Sequence, residues 1–108
     1  TWSRAEEIIR DRPRPPAAAH LSASLNSAGG IDALAVKIAA PSATHELRAR
    51  LVDNARPHAA QRAAAGRSDA GAVGGAMPSY AIPNVSVDHY PADIGLPVGQ
   101  WRGNADSY

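Results

Sequence analysis

Large apolar side chains are scarce in this chain, and that scarcity limits what it can fold into alone. Alanine supplies half of its apolar residues, Leu, Ile and Val number six each, and Phe is absent. Leu, Ile, Val and Phe together make up 18 of 108 residues, below the roughly 20% at which disorder becomes a concern. A net charge of +1 is too small for repulsion to keep the chain open. We therefore expect either a marginal fold or a piece of a larger protein whose core is completed by other segments.

Length and charge exclude several classes of protein. A chain of 108 residues fits one domain at most. It has no run of about 18 apolar residues, so we expect no membrane-spanning helix. The charged stretch Thr1–Arg10 lacks the apolar region of a signal peptide. The near-neutral charge argues against nucleic acid as a partner. The absence of cysteine excludes disulfides and Cys-ligated metals and leaves the cellular compartment undetermined.

Alternation of apolar and small polar residues over 17–41 predicts a β-hairpin. Leu21 and Leu25 alternate with serines, which is the period of a half-buried strand. The turn signal Ser27–Gly30 follows, and the alternation resumes over Ile31–Ile38. We expect both strands of this hairpin to form the centre of the sheet.

Residues 42–66 change to a helical period. Ser42 or Thr44 is suited to the N-cap of the first turn. The apolar residues at helical spacing are expected to form the packing face: Leu47, Leu51 and Val52. Because alanine dominates the rest of this stretch, we expect that face to be thin.

Pro57 interrupts this helix because it has no amide donor and clashes with the preceding turn. A second helical stretch is expected over 58–65, with Gly66 directly after its end. Residues 67–79 are rich in Gly and small residues and are predicted to form a loop.

The remaining segments predict a short helix, a strand and a loop. In the irregular segment 1–16, Ser3 and Glu6 have the spacing of a capping box, which favours a helix over about 4–10. Residues 80–90 alternate as a strand, with Val85, Val87 and His89 on one face and Ser86, Asp88 and Tyr90 on the other. Residues 91–108 are predicted to be a loop.

These elements predict a single unit, 1–108, of the α+β class. The order is β-β-α-β, and the sheet is small and antiparallel or mixed, with the helix on one face, because this arrangement buries the most apolar surface available.

Most chemistry-bearing residues are better interpreted as structural. The four histidines have no spacing typical of a metal site, and the serines lack the context of a catalytic nucleophile. The arginines near the start could bind an anion, but a solvated segment paired with neighbouring acids is favoured: Arg4, Arg10, Arg12 and Arg14 beside Glu6, Glu7 and Asp11.

The segment Gly99–Gly103 differs because an aromatic residue and an arginine, Trp101 and Arg102, are flanked by glycines. Glycine allows the backbone to approach a ligand closely. The guanidinium can face an anionic or developing negative charge. Taken alone, a surface loop with a packed Trp is the alternative.

Four blocks of the sequence, in order, carry a resemblance to a known family. They are Trp2–Glu7 with Asp11–Pro16, His20–Ser42, Gly75–Ala76 with Tyr80–Val85, and Pro97–Gly99 with Trp101–Arg102. The chain resembles the molybdenum-cofactor-binding large subunit of the xanthine dehydrogenase/aldehyde oxidase family, and within it the isoquinoline 1-oxidoreductase beta subunit branch. The resemblance covers nearly the whole chain except about 44–70.

The resemblance implies an oxidoreductase that hydroxylates an N-heterocycle or an aldehyde with water-derived oxygen. Its cofactor is a molybdenum–pterin group, and its partners are the remainder of the large subunit and an iron–sulfur small subunit. Arg102 would lie at the molybdenum end of the cofactor pocket, with Trp101 and Gly103 as loop neighbours. The chain departs from the family at Asn104–Asp106.

The resemblance also implies that this chain is a fragment with no catalytic residue of its own. The general-base glutamate of the family lies outside it, and Glu6, Glu7 and Glu46 match nothing catalytic. We expect the isolated chain to be inactive and to bind no cofactor. The alternative is a non-catalytic interaction module that associates with another copy through exposed strand edges.

Overall fold

A three-stranded mixed sheet organises the molecule. The structure is a computed structural model that describes residues 2–100. The strands β1 (Ala18–Leu25), β2 (Ile31–Ala40) and β3 (Asn84–Pro91) lie in the order β1-β2-β3. β1 and β2 are antiparallel, whereas β2 and β3 are parallel. Three helices accompany the sheet: α1 (Arg4–Arg10), α2 (Ala43–Leu51) and α3 (Pro57–Ala64). The predicted α+β class and β-β-α-β order are confirmed.

Asn26 fixes the turn of the predicted hairpin. Its side-chain Oδ1 accepts hydrogen bonds from the amides of Ala28 and Gly30 at 3.0 and 2.9 Å. Its own amide donates to the Gly30 carbonyl at 2.8 Å. Gly29 has a φ of +81°, a conformation that glycine adopts without steric cost. The turn therefore sets the register that continues through the β1–β2 pairing.

The core lies on one face of β2. Val36, Ile38 and Ala40 are buried there together with Val73. Leu34, Ala76 and Val87 pack against this cluster. Val73 and Ala76 come from the predicted loop 67–79, which contains two single turns of 3₁₀ helix. β3 alternates between half-buried and exposed residues as predicted.

β1 differs from the prediction, because it is not half-buried. All eight of its residues are exposed, and Leu21 and Leu25 keep 63% and 66% of their surface. The residues that cover the sheet, Val73 and Ala76, pack against β2 and β3, and β1 lies beyond them. The expectation that both hairpin strands form the centre of the sheet is wrong: β2 alone is central.

α1 begins as predicted, whereas the start of α2 corrects the sequence interpretation. Ser3 and Glu6 form the capping box of α1. At α2, Ser42 makes no side-chain cap and donates instead to the Arg67 carbonyl. The amide of Thr44 donates to Asp69 Oδ2 at 2.8 Å, so a distant carboxylate satisfies the helix start.

The buried face of α2 also differs from the predicted one. Ala43, Glu46 and Ala49 are buried, whereas Leu51 and Val52 keep 75% and 70% of their surface. α2 packs chiefly against α3, and a surface of small residues allows two helices to approach closely. The predicted apolar face is therefore wrong at Leu51 and Val52, whereas Leu47 is half-buried.

Pro57 and Gly66 bound α3. Pro57 starts the helix at a position where the missing amide costs nothing, so the helix covers 57–64 rather than 58–65. Gly66 follows its end with a φ of +71°, as predicted. No helix within residues 2–100 is both long and apolar enough to cross a membrane.

The parallel direction of β3 decides where the chain goes next. Because β3 runs alongside β2, it ends beside Ala40, and the amide of Ala92 donates to the Ala40 carbonyl at 3.0 Å. α2 starts three residues after Ala40. The residues that follow β3 therefore lie beside α2, and the Val98 amide donates a hydrogen bond to the Glu46 carboxylate.

Candidate functional site

The predicted pocket residues Trp101, Arg102 and Gly103 lie outside the described residues. The structure does place the segment that leads into them, Pro97–Gln100. Within that segment Val98 is almost fully buried. The part of this site that the structure describes is therefore the set of contacts that hold Pro97–Gln100, called the anchor below.

The side chain of Glu46 forms that anchor. Glu46 is 2% exposed, and it projects from the buried face of α2. Its two carboxylate oxygens each lie 3.1 Å from the amide nitrogen of Val98, which donates to them. The neighbouring amide of Gly99 donates to the Pro13 carbonyl at 3.0 Å. Two consecutive amides of the segment are thus held by the rest of the fold.

Two arginines flank the Glu46 carboxylate. Arg12 Nη1 lies 3.7 Å from Oε1, and Arg50 Nε lies 4.0 Å from the same oxygen. Arg50 Nε also donates to the Glu46 carbonyl at 3.4 Å. Arg12 Nη1 is buried and has no hydrogen-bond partner among the described residues. The buried negative charge is therefore offset by two nearby positive charges.

Burial raises the pKa of Glu46 above its ordinary value, because desolvation penalises the charged form. The hydrogen bond from the Val98 amide opposes this effect, and so do the positive charges of Arg12 and His58. Desolvation outweighs them. Keeping this carboxylate charged in the folded protein therefore has a desolvation penalty that the hydrogen bond and the positive charges only partly offset.

The structure joins two of the sequence blocks at this carboxylate. Arg12 and Pro13 belong to the first block, and Val98 and Gly99 belong to the last. Sequence reasoning set Glu46 aside because it matches no motif. One sequence signal does point to Glu46. It is a single acid between Ala43 and Ala49 on one face of the helix, and a face of small apolar residues is expected to be buried together with the acid on it.

The arginines near the start of the chain divide into two groups. Arg4 pairs with Glu7 at 3.5 Å, with both side chains exposed, and the Arg10 guanidinium lies 4.8 Å from the centre of the Trp2 ring. These contacts agree with a solvated, internally paired segment. Arg12 departs from that interpretation because it reaches the buried Glu46.

A second set of buried polar groups is centred on Asp69, which sequence reasoning also missed. Its carboxylate accepts from the amides of Thr44 and Gly71. Its own amide donates to His89 Nδ1 at 2.9 Å, and His89 Nε2 lies 2.9 Å from the Ala40 carbonyl. Because Nδ1 accepts, Nε2 carries the proton and donates. His89 is thus a structural residue that ties β3 to β2 and to the segment covering the sheet.

The described residues hold no cluster of potential metal ligands. Within residues 2–100, no group of three His, Asp or Glu side chains is placed to hold a metal ion. A groove of about 660 Å³ crosses the three strands near Ala23, Leu34 and Val85 and is open and lined largely by small residues. It offers no charged side chain to orient an anionic ligand.

Comparisons with family models, with curated proteins and with solved structures gave no match. The class that the structure defines is a small α+β unit with an open mixed sheet.

Proposed function

We propose that this chain is part of the molybdenum-cofactor-binding large subunit of a molybdenum hydroxylase of the isoquinoline 1-oxidoreductase type. Such an enzyme replaces a C–H bond of an N-heterocycle or an aldehyde with C–OH. The oxygen comes from water, and two electrons leave through an iron–sulfur partner subunit. The support is the order of the four sequence blocks along the chain.

One structural observation carries the proposal further. The first and last blocks meet at Glu46, where Arg12 and Pro13 contact the anchor of Val98 and Gly99. Gly99, the first residue of the Gly99–Gly103 segment, is held to the rest of the fold by the hydrogen bond from its amide to the Pro13 carbonyl.

The cofactor would supply the redox chemistry, and the protein would supply binding, orientation and electrostatics. Arg102 is the residue of this chain that would stabilise negative charge near the metal, with Trp101 and Gly103 shaping its loop. The remaining contacts to the pterin would come from the rest of the large subunit.

Exposed apolar side chains support a fragment of a larger subunit. Leu21, Leu25 and Leu51 keep 63%, 66% and 75% of their surface, and large apolar side chains left open in this way are typical of a surface that another segment or chain covers. In the proposed parent, other segments of the subunit would cover these residues.

The test uses the full-length protein that carries this sequence, produced with molybdate supplied. We expect stoichiometric molybdenum by metal analysis and transfer of ¹⁸O from labelled water into a hydroxylated N-heterocycle or aldehyde. Arg102→Ala is expected to lower kcat/KM by about 10²–10³-fold, as loss of a charge-stabilising group does. Arg62→Ala, at an exposed position on α3, is the matched control and should leave activity unchanged.

Two outcomes would count against the proposal. A full-length protein that binds neither molybdenum nor pterin would remove the assignment to this class of enzyme. Stoichiometric molybdenum on the isolated 108-residue chain would refute the view that the chain is an inactive fragment.

A second candidate function rests on the open sheet. β1 and β3 are its outer strands, each paired on one side among the described residues, and β1 is exposed along its whole length. Such an edge can pair with a strand of another copy. A strict monomer by light scattering would remove this alternative.

A further inference from the structure

We propose that a pocket between α2 and α3 binds inorganic hydrogen phosphate. The pocket has a volume of about 220 Å³, below the roughly 300–1,000 Å³ of pockets for drug-sized ligands, so its size suits a small ion. It lies entirely within the described residues and is independent of the proposed function. The residues that line it are His45, Arg48, Ala49, Asp53, Ala63 and Arg67.

Hydrogen bonds fix the backbone on one side of this pocket. Ser42 Oγ, at the start of α2, donates to the Arg67 carbonyl, and the Arg67 amide donates to the Ala64 carbonyl at 3.1 Å. His45 Nε2 lies 2.9 Å from the Ser68 carbonyl. The segment after α3 is therefore tied to the first turn of α2, and a ligand in the pocket would not have to order this segment.

Arg48 and Arg67 supply positive charge to the pocket. Both residues are exposed, and among residues 2–100 neither guanidinium forms an ion pair. A guanidinium presents a fork of N–H donors that matches the oxygens of phosphate. Two such groups on the wall of one small pocket favour an anionic ligand, which would provide the acidic partner that the described residues do not.

Asp53 restricts which anion the pocket can take. It follows the C-terminal end of α2, where the helix dipole disfavours a negative charge. The turn that carries it is held by the Ala55 amide, which donates to the Ala49 carbonyl at 3.0 Å, and by Asn54, whose φ is +50°. An ionised carboxylate accepts hydrogen bonds and cannot donate them. A ligand beside Asp53 therefore needs a donor of its own.

His45 adds a second acceptor to the wall. A carbonyl can only accept, so Nε2 carries the proton that it donates to Ser68, and Nδ1 of the neutral ring is left as an acceptor. The pocket thus combines donors from two arginines with acceptors from Asp53 and His45. Hydrogen phosphate matches both, because it has charged oxygens and one P–OH donor. Sulfate has the charge but no O–H group, so Asp53 should repel it.

The test is calorimetric titration of the 108-residue chain at pH 8 and low ionic strength with inorganic phosphate, sulfate and methyl phosphate. At this pH a phosphate monoester has lost both protons, since its second pKa is about 6, whereas inorganic phosphate keeps one. We expect one phosphate per chain with a Kd of about 0.1–1 mM. Sulfate and methyl phosphate, which offer no donor to Asp53, should each bind at least about ten-fold more weakly.

Substitutions assign the roles within the pocket. Arg48→Gln and Arg67→Gln should each weaken phosphate binding about ten-fold, because each removes hydrogen bonds to a charged group. Arg62→Gln is the matched control, an exposed arginine of α3 that does not line the pocket, and it should change the Kd by less than about two-fold. Asp53→Asn should strengthen sulfate binding at least about ten-fold, because an amide can donate as well as accept. A gain of binding cannot result from misfolding.

Each contrary result would overturn a stated part of the proposal. Absence of phosphate binding up to about 10 mM would refute the site. An effect of Arg62→Gln as large as that of Arg48→Gln would show general attraction to surface cations instead of a pocket. Equal affinity for phosphate and sulfate, or no gain of sulfate binding in Asp53→Asn, would refute the selection of hydrogen phosphate. None of these measurements involves molybdenum, so failure of this site and failure of the proposed function are distinguishable.

Discussion

At the scale of single residues, buried polar side chains connect segments of the chain that the small apolar core does not hold together. His89 joins the Asp69 amide to the Ala40 carbonyl. Replacing it by Phe keeps an aromatic ring at this position but leaves both backbone groups without that partner. We expect His89→Phe to lower the free energy of unfolding by about 2–3 kcal/mol, measured by urea denaturation of the 108-residue chain. His20→Phe, on the exposed β1, is the control and should change it by less than about 0.5 kcal/mol.

The raised pKa of Glu46 predicts a pH dependence of stability. A carboxyl whose pKa is raised by folding is favoured in its neutral form, so ionising it disfavours the fold. Its contribution declines as the pH rises from about the ordinary value of 4.5 through the raised pKa. Glu46→Gln does not titrate, so this variant should gain stability relative to wild type as the pH increases from 4 to 7.

The check is a series of urea unfolding curves for both proteins across that range. The exposed Glu6 also titrates there, with a pKa lowered chiefly by its hydrogen bond with the Ser3 backbone, but it is present in both proteins and cancels in the difference. A difference between the two proteins that stays constant, or that moves in favour of wild type, would contradict the assignment.

At the scale of elements, the end of α3 gives a direct test of backbone geometry. Gly66 has a φ of +71° with open space around its Cα, so adding a methyl group strains the backbone without a clash. We expect Gly66→Ala to cost about 1 kcal/mol of stability by urea denaturation.

Gly74→Ala is the matched control, because Gly74 has an ordinary φ and equally open space. It should be neutral or stabilising by up to about 1 kcal/mol. Equal losses in both variants would show that the conformation at Gly66 is not what matters.

Elements with local signals were predictable from the sequence. The capping box at Ser3, the turn after Asn26 and the bounds at Pro57 and Gly66 each depend on residues that lie within one or two turns of each other. Burial of β1 and of α2 was not predictable in this way. Which face of a strand or helix is buried depends on what covers it, and here that covering comes from Val73 and from the small residues between α2 and α3.

For the candidate site, the sequence singled out only the motif residues Trp101, Arg102 and Gly103, which lie outside the described residues. Arg102 stands out because an aromatic neighbour and glycines surround it in the sequence. Glu46 and Asp69 do not, because their role depends on contacts with Val98 and Thr44, which are distant in sequence. The hydrophobic periodicity of the sequence does not reveal contacts between residues that are distant along the chain.

At the scale of the whole molecule, the exposed edge of the sheet predicts how the isolated chain behaves. Charged residues on an edge strand oppose pairing between copies. If copies associate through β1, Leu21→Lys should lower the mass measured by light scattering toward that of a monomer. Its stability should change little, since Leu21 is exposed already.

Leu51→Lys introduces the same charge at a similarly exposed position on α2. It should leave the mass unchanged if pairing occurs along the strand edge. An equal effect of both substitutions would indicate general apolar aggregation instead.

The parallel pairing of β2 with β3 has a consequence for biosynthesis. The hairpin and its turn involve neighbouring residues, so they can form while the ribosome is still making the helices, whereas β3 pairs across a long intervening stretch. Val98, whose amide donates to Glu46, is translated later still. A nascent chain therefore keeps the Glu46 carboxylate hydrated until Val98 has emerged from the ribosome, so the burial of this charge is a late step in folding.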